Sequence, residues 1–273
     1  MLDRMEEAFH RLSSMIDPPE FVARGSYHVF RYKNETAEAA VIQKLARLIS
    51  GLRATLVLIR SGYVQEVGAL CRMLDELNED IVFLCQAIKE DKITDLHQRY
   101  LAVFYEEEFD EPDNPLLSPQ KRPMIPRAKI QAAVAAIPEN ALNPSDGQQL
   151  YRTLHRANSG YVHAASGHIL EMYGGSPPRY HLSGMLSTPR IPEFTRHLWH
   201  FFYRGFVSLM FCAVAFRNRV LVDELYAFRD QFERASGKTQ WDDPNELVRR
   251  AKNRKGPANR SPTAPRRDSP SPG

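Results

Sequence analysis

The sequence contains few cysteines, and they follow no recognisable pattern. Cys71, Cys85 and Cys212 are the only three in 273 residues, and no two of them have C-x-x-C spacing. The odd number and the wide separation argue against a disulfide framework and against a cysteine-ligated zinc site. Because each cysteine lies within an apolar helical pattern, we expect free, buried thiols and a reducing, cytoplasmic environment.

Long hydrophobic runs are also missing. The most apolar stretch, Gly205–Phe216, has 12 residues and lies between Arg204 and Arg217, whereas a membrane-spanning helix needs about 20. The first residues, Met1–Glu7, lack the apolar segment of a secretory signal. We therefore predict no membrane partner and a buried core helix at 205–216.

Glycine-rich phosphate loops and the G-x-S-x-G elbow do not occur in the sequence, which argues against P-loop, Rossmann and serine-hydrolase chemistry. Residues 1–248 also lack an excess of positive charge. Residues 249–273 hold eight Lys and Arg against one Asp, a net charge of +7, while the whole chain carries +3, which leaves −4 for residues 1–248. The basic balance therefore belongs to the C-terminal tail and does not predict a nucleic-acid-binding face on the body.

Helical periodicity dominates what is present. Apolar residues recur at spacings of three and four, as in Leu45, Leu48 and Leu52, and this pattern predicts amphipathic helices. No alternation long enough for a convincing β-strand occurs. The predicted helices cover 2–16, 36–60, 63–90, 92–108, 128–137, 145–173 and 192–235, the last as one helix or two, with a short helix after Asp243.

We expect this all-α chain to form an up-and-down bundle of six to seven helices. Prolines exclude regular structure from 110 to 126, and a second long loop follows at 174–190. The predicted helical domain covers residues 1–235, and residues 236–252 form a linker with the short helix. The composition of 253–273, rich in Arg, Pro and Ser, predicts a disordered basic tail.

The predicted helix 63–90 carries a polar face. Arg72 and Glu76 have i, i+4 spacing and could form a structural salt bridge or serve polar side chains on another helix. Clustered carboxylates on this helix are expected to form a solvated face. They are Asp75, Glu76, Glu79 and Asp80.

The segment 151–173 repeats a short pattern of small residues. Ala157-Asn-Ser-Gly160 is followed seven residues later by Ala164-Ala-Ser-Gly167, so the two glycines would stack on one face of a helix. Each glycine costs about 1 kcal/mol relative to Ala in a helix interior. That cost indicates a compensating close approach of another helix, or room for a ligand.

Arg156 and His163 are also seven residues apart, and Arg152 and Ser159 form a parallel pair. Because residues seven apart differ in direction by only about 20° on an α-helix, the four side chains form adjoining strips. Such polar groups need partners if they are buried. The strip is either a chemical site or a polar seam that joins helices.

Three stretches of the chain resemble a HEPN-like family of uncharacterised helical proteins, and together they span about residues 45–220. They are Tyr151-Arg152-x-Leu154 with Ser159-x-x-Val162-His163, then Leu70-Cys71-Arg72-Met73-Leu74-Asp75-Glu76, and Arg99-Tyr100-Leu101 with Phe104-Tyr105-Glu106-Glu107.

In the wider HEPN superfamily, several members are metal-independent ribonucleases, and many act in bacterial defence or toxin–antitoxin systems. Their motif is an Arg followed by four to six residues and a His, and Arg156 and His163 have six residues between them. The resemblance implies that this pair is catalytic, that RNA is a partner, and that a homodimer forms the cleft. The supporting residues would be Tyr151, Arg152, Ser159, Arg72 and Glu76.

Two other interpretations remain open. In the first, the chain is a non-catalytic helical binding module, and the same polar residues hold its core together. In the second, Glu193, His197 and His200, at i, i+4 and i+7, bind a metal ion. No matching Glu-x-x-His pair occurs on another predicted helix, so we predict neither a metal site nor a cofactor.

Overall fold

The computed structural model describes residues 1–118, 123–137 and 143–238. It is a mostly helical protein with two small β-hairpins, which confirms the predicted all-α fold class. The helices are Leu2–Ser13 (α1), Ala37–Arg60 (α2), Val64–Glu90 (α3), Asp95–Tyr105 (α4), Arg127–Ala135 (α5), Pro144–Val162 (α6), Ser166–Ile169 (α7), Arg190–Ala215 (α8) and Arg219–Ser236 (α9). The strands are Glu20–Arg24 (β1), Tyr27–Arg31 (β2), Tyr173–Gly174 (β3) and Arg179–Tyr180 (β4).

The helix α3 lies at the centre of the bundle and packs against α2, α5, α6 and α8. The predicted apolar periodicity is confirmed, since Leu45, Leu48 and Leu52 of α2 are fully buried, as are Leu74 and Ile81 of α3. Burying one such side chain stabilises a fold by about 1.5–3 kcal/mol. These two helices therefore supply about half of the core residues, and the remaining helices pack against them.

Two glycines let α2 approach its neighbours closely. A Cβ atom added to Gly205 of α8 would lie 2.8 Å from the side chain of Leu52, and one added to Gly51 would lie 2.9 Å from that of Leu74. Because packed interiors hold little spare volume, a side chain at either position would have to displace a buried leucine side chain.

The predicted core helix at 205–216 is confirmed as the C-terminal half of α8, where Phe206 and Leu209 are fully buried. Among the described helices, α8 alone is long and apolar enough to cross a membrane. However, 56% of its most apolar window is buried inside the bundle. Such burial is typical of the core helix of a soluble protein.

The prediction that no strand occurs is wrong between α1 and α2. β1 and β2 pair antiparallel with Val22 opposite Val29. The loop Gly25-Ser26 joins them, and Gly25 has a φ of +59°, as two-residue hairpin turns require. The pattern does not indicate a strand because both faces carry apolar residues: Phe21 and Phe30 are each 63% exposed on the outer face.

The proline-rich loop after α4 lies against this hairpin. An Nη atom of Arg24 donates to the carbonyl of Phe109 at 2.6 Å, and Arg31 forms an ion pair with Glu107 at 2.5 Å. The prediction of irregular structure at 110–126 is confirmed for most of its described residues, apart from a short 3-10 turn at Pro115–Leu117. This loop therefore covers one side of an otherwise isolated hairpin.

The predicted helix at 145–173 is wrong at its C-terminal end. α6 ends at Val162, and Ala164 adopts a φ of +50° that turns the chain back. The ring of His168 then lies 2.1 Å from the position of a Cβ atom on Gly160, whereas Gly167 has nothing within 4 Å. The two glycines share no helix face, because α6 ends between them. Gly160 makes room for the imidazole of His168 and not for another helix.

The range 192–235, predicted as one helix or two, forms two helices, with a break between α8 and α9 at Arg217, whose φ is +55°. This separation and the small helix α7 give nine helices in the described ranges, more than the six to seven predicted.

The loop at 174–190 is largely irregular, and the backbone N–H of Met185 donates to the carbonyl of Gly62 at 2.8 Å. The short helix predicted after Asp243 and the predicted basic tail lie outside the described residues.

Candidate functional site

The helix α6 divides its polar side chains between two faces. The inner face turns toward α3, on which the helix packs, and the outer face turns toward solvent. The inner face carries half-buried polar residues, namely Tyr151, His155 and Asn158. The strip predicted from the sequence, which we call the outer strip, comprises Arg152, Arg156, Ser159 and His163; its Arg and His residues are exposed, and Ser159 is half-buried.

Arg72 and Glu76 of α3 form the salt bridge that their spacing predicts, with 2.7 Å between Nη1 and Oε1. The Nε2 atom of His155 lies 3.1 Å from the same carboxylate oxygen. Burial and the nearby Arg72 charge lower the pKa of His155, so its ring is neutral near pH 7. Because the carboxylate can only accept, Nε2 carries the proton and donates it to Glu76.

A second ion pair joins α3 to α8. Arg204 lies 2.6 Å from a carboxylate oxygen of Asp75, which is 3% exposed, and Asn158 donates to the other oxygen at 3.3 Å. Burial raises the pKa of Asp75, and the Arg204 charge opposes that shift. The sequence pattern does not reveal this pair. The one feature of the sequence that could have indicated it is the position of Arg204 directly before the apolar stretch of α8.

The prediction that the acidic cluster of α3 is a solvated face is wrong. Asp75, Glu79 and Asp80 are all buried. Arg127 of α5 contacts Glu79 at 2.7 Å and also contacts Asp80, which in turn pairs with Lys44 of α2 at 2.8 Å. Cations from neighbouring helices neutralise these carboxylates, and this arrangement allows α3 to be buried on nearly all sides.

Tyr151 belongs to the same inner region. Burial raises its pKa to about 12, and the nearby Glu79 charge adds to the effect. The phenol therefore keeps its proton at neutral pH. Its position against the core gives it a role in packing α6 onto α3.

The outer strip differs from the inner face of α6 in its exposure and in its lack of ion pairs. Arg152, Arg156 and His163 are exposed, and none of them has a hydrogen bond or ion pair with another side chain in the described chain. His163 is the C-cap of α6, and its backbone N–H donates to the carbonyl of Ser159 at 3.1 Å. Arg156 and His163 are thus both open to solvent, the first within α6 and the second at its C-cap.

The predicted site residues therefore fall into two groups. Arg156, His163, Arg152 and Ser159 lie together on the outer strip. The other supporting residues lie between α3 and the inner side of α6: Arg72 and Glu76 pair with each other, and Tyr151 packs against the core. Two further residues of that inner group, His155 and Asn158, come from the motif helix itself and were not singled out as site residues.

The spacing at the start of α8 does not gather metal ligands. Glu193 forms an ion pair with Arg190 at 3.0 Å. Within residues 1–118, 123–137 and 143–238, no three His, Cys, Asp or Glu side chains meet in a way that could hold a metal ion.

A cleft of about 850 Å³ separates α6 from α8. Both helices pack on α3, and the space between them stays open above Cys71. Leu154, Asn158 and Tyr161 of α6 line one wall, and Arg204 of α8 lines the other. Clefts between the helices of a bundle are common ligand sites, and this one lies on the inner side of α6, away from the outer strip.

No protein-family model matches the chain, and no curated protein and no solved structure matches it.

Proposed function

We propose that this protein binds RNA along the outer strip of α6 and cleaves it without a metal ion. One observation carries the proposal: Arg152, Arg156 and His163 are exposed in one line and have no side-chain partner among the described residues. By contrast, Arg72, Arg127 and Arg204 are all paired with carboxylates. Cationic groups that serve no internal purpose and share a strip are suited to phosphate.

His163 would move the proton, and Arg156 would hold the phosphate. Imidazole takes and returns protons near neutral pH, so it can remove the proton of a ribose 2′-hydroxyl. The 2′-oxygen then bonds to phosphorus, the bond to the 5′-oxygen breaks, and that oxygen takes a proton. The products are a 2′,3′-cyclic phosphate and a 5′-hydroxyl end. The guanidinium stabilises the charge that develops on the phosphate oxygens.

A homodimer in the cytoplasm is part of this proposal. The strip is open rather than enclosed, and apolar side chains surround its His163 end: Val162 and Leu170 are 50% and 52% exposed. A second copy that covered them would turn the strip into a cleft. The three cysteines are free and buried, in keeping with a reducing compartment.

One observation favours the alternative of a non-catalytic binding module. The polar contacts of α6 run to α3 rather than to the strip: His155 binds Glu76, which pairs with Arg72, and Asn158 donates to Asp75. If the motif residues serve mainly to hold α6 onto α3, the chain would bind a partner without chemistry.

A ribonuclease assay in the presence of a chelator tests the proposal. The proteins are the wild type, His163→Ala, Arg156→Ala and the control Arg47→Ala, which removes one exposed arginine from α2. We expect chelator-resistant cleavage that falls about 100-fold or more in the first two variants and is unchanged in the control. Circular dichroism confirms folding in each case.

Three results would contradict the proposal. Equal cleavage by all four proteins would point to a contaminating nuclease. Unfolding of the two strip variants would make Arg156 and His163 structural and support the binding module. RNA retention on a filter that is lost in both strip variants, without any cleavage by the wild type, would leave RNA binding and exclude catalysis.

A further inference from the structure

The described chain ends at the cleft between α6 and α8. Gly237 and Lys238, its last two residues, both line the cleft. Gly237 has a φ of +64°, in the left-handed region, so the chain turns as it leaves α9. The Nζ atom of Lys238 then lies 4.9 Å from the centre of the Trp199 ring on α8. The residues that follow Lys238 therefore start beside this cleft.

The middle of the cleft is apolar, and none of the described residues fills it. Both helices and α3 contribute to its apolar lining, which comprises Cys71, Leu154, Ala157, Phe194, Leu198 and Phe201. Ala157 is exposed, and Phe194 is only half-buried. Because removing apolar surface from water is favourable, these side chains favour an apolar occupant. The volume of about 850 Å³ is larger than one side chain can fill.

The next ten residues of the chain, which we call segment 239–248, match the cleft in composition and length. Their sequence is TQWDDPNELV. Trp241 is three residues beyond Lys238, a reach of about 10 Å, and Leu247 and Val248 add further apolar side chains. Ten residues span about 33 Å when extended and about 15 Å when helical. The part of α8 that lines the cleft is about 21 Å long, which is within this range.

The cleft is electropositive at the end where segment 239–248 begins. Burial and nearby positive charges, that of Lys238 first, lower the pKa of His200, as expected in a positive field. Segment 239–248 carries three carboxylates and no Lys or Arg. The carboxylates belong to Asp242, Asp243 and Glu246. The first part of the segment therefore has the opposite sign to the surface beside it.

The other end of the cleft has an excess of negative charge. There Arg190 lies 3.7 Å from Glu171 and 3.0 Å from Glu193, so one cation faces two carboxylates. Arg249 and Arg250 directly follow segment 239–248. A chain that runs along α8 toward this end therefore meets charge of opposite sign at both ends of the cleft.

We propose that segment 239–248 occupies the cleft between α6 and α8. The indole of Trp241 lies in its apolar middle, and Leu247 and Val248 continue toward Phe194. The segment closes the cleft to outside ligands and fixes the point from which the basic residues 249–273 leave the body. This docking does not depend on the proposed RNA chemistry, because the cleft lies on the inner side of α6.

The fluorescence of Trp241 in the full chain tests the docking. The chain has two tryptophans, so Trp199→Phe leaves Trp241 as the only indole and keeps an aromatic ring beside Tyr203 and Phe232. We expect emission at shorter wavelength than from a peptide of residues 236–250, and quenching by acrylamide that is at least threefold weaker. Emission and quenching equal to those of the peptide would overturn the proposal.

Matched variants in this background test the location. Ala157→Phe fills the cleft from an exposed position on α6, and Ala102→Phe adds the same ring to the exposed surface of α4. Acrylamide quenching of Trp241 should rise at least twofold in the first variant alone, at unchanged helicity. Unchanged quenching in Ala157→Phe would place the indole elsewhere and overturn the proposal. Protection of Trp241 that grows with protein concentration would assign the cleft to a second copy and would also overturn it.

Dye binding provides a second measurement that retains Trp199. The dye 1-anilinonaphthalene-8-sulfonate fluoresces on exposed apolar surface. Trp241→Ser should empty the cleft and raise the dye fluorescence at least threefold over the wild type, whereas the neighbouring control Gln240→Ser should not. Equal dye fluorescence in the wild type and Trp241→Ser would show that the cleft is open to an outside ligand, contrary to the proposal.

Discussion

His97 combines the capping of a helix with burial in the core. Its Nδ1 accepts from the backbone N–H of Thr94 at the start of α4, at 3.3 Å, and lies 2.7 Å from the hydroxyl of the same residue. Its Nε2 lies 3.3 Å from the carbonyl of Phe83, so Nε2 carries the proton, and the ring stacks on that of Phe83. Burial lowers the pKa of His97 below its ordinary value of 6.5. The neutral ring is therefore the form that suits the fold.

This arrangement predicts a loss of stability in mild acid. The folded-state pKa is the lower one, so the unfolded chain binds the proton first as the pH falls. Stability from His97 is complete above pH 6.5 and decreases below it, by at most about 1.4 kcal/mol per pH unit. His155, whose pKa is also lowered, contributes in the same direction. Asp75 and Glu79, whose pKa values burial raises, act in the opposite direction, because the folded chain binds their protons first as the pH falls.

Melting temperatures measured from about pH 7.5 to 5.5 check this prediction. His97→Gln should be less stable than the wild type at the upper end, because it loses the ring contact, and should show a shallower slope. Parallel slopes for the two proteins would show that His97 does not titrate differently in the folded and unfolded states.

The residues of the candidate site were predictable only where their partners lie close in sequence. Arg72 and Glu76 are one helical turn apart, and the spacing of Arg156 and His163 places them on one strip. The pair of Asp75 and Arg204 could not be predicted, because it depends on how α8 packs on α3. Helical spacing reports which residues share a face, but the burial of that face is decided by other elements.

At the scale of elements, the end of α6 depends on Gly160. The ring of His168 occupies the space of a missing Cβ there, contacts the ring of Tyr161, and has its Nε2 3.3 Å from the carbonyl of Ala157. Gly160→Ala should therefore destabilise the protein by about 1–3 kcal/mol through overpacking. This loss would outweigh the gain in helix propensity of about 1 kcal/mol.

Urea unfolding of two further proteins separates these effects. Gly167→Ala lies in open space on α7 and should be neutral or slightly stabilising. In a His168→Ala background, Gly160→Ala has no ring to displace and should become stabilising. A stabilising effect of Gly160→Ala with His168 present would show that the imidazole moves aside without cost.

Element prediction succeeded where one apolar face repeats over many turns. α2 and α3 have that pattern, and both were predicted to within two residues of their ends. The prediction of α6 failed at Val162, where the helix ends. The small residues that follow are compatible with a helix, so the sequence pattern does not reveal the turn. Element prediction failed at the hairpin because Phe21 and Phe30 are exposed aromatic residues, so apolar residues occur on both faces.

For the whole molecule, the position of positive charge matters more than its total. The buried carboxylates of α3 are paired with Lys44, Arg127 and Arg204, which are therefore not available to an external anion. Since residues 1–248 carry a net charge of −4, the proposed binding of RNA depends on where cations are left unpaired, and it uses the outer strip of α6 together with the basic residues after Val248.

These two regions should contribute differently to RNA binding. The eight Lys and Arg of residues 249–273 would add affinity that depends on salt, with a slope of roughly 0.7 per phosphate contact on single strands. A chain ending at Val248 should therefore bind RNA more weakly in low salt, with a slope reduced by up to about 6. Its chelator-resistant cleavage at saturating RNA should equal that of the full chain, because Arg156 and His163 are retained. Filter binding at several salt concentrations and cleavage of the same RNA measure both quantities. If cleavage disappears with residues 249–273 while the folded body keeps its melting temperature, the outer strip alone does not form the catalytic site.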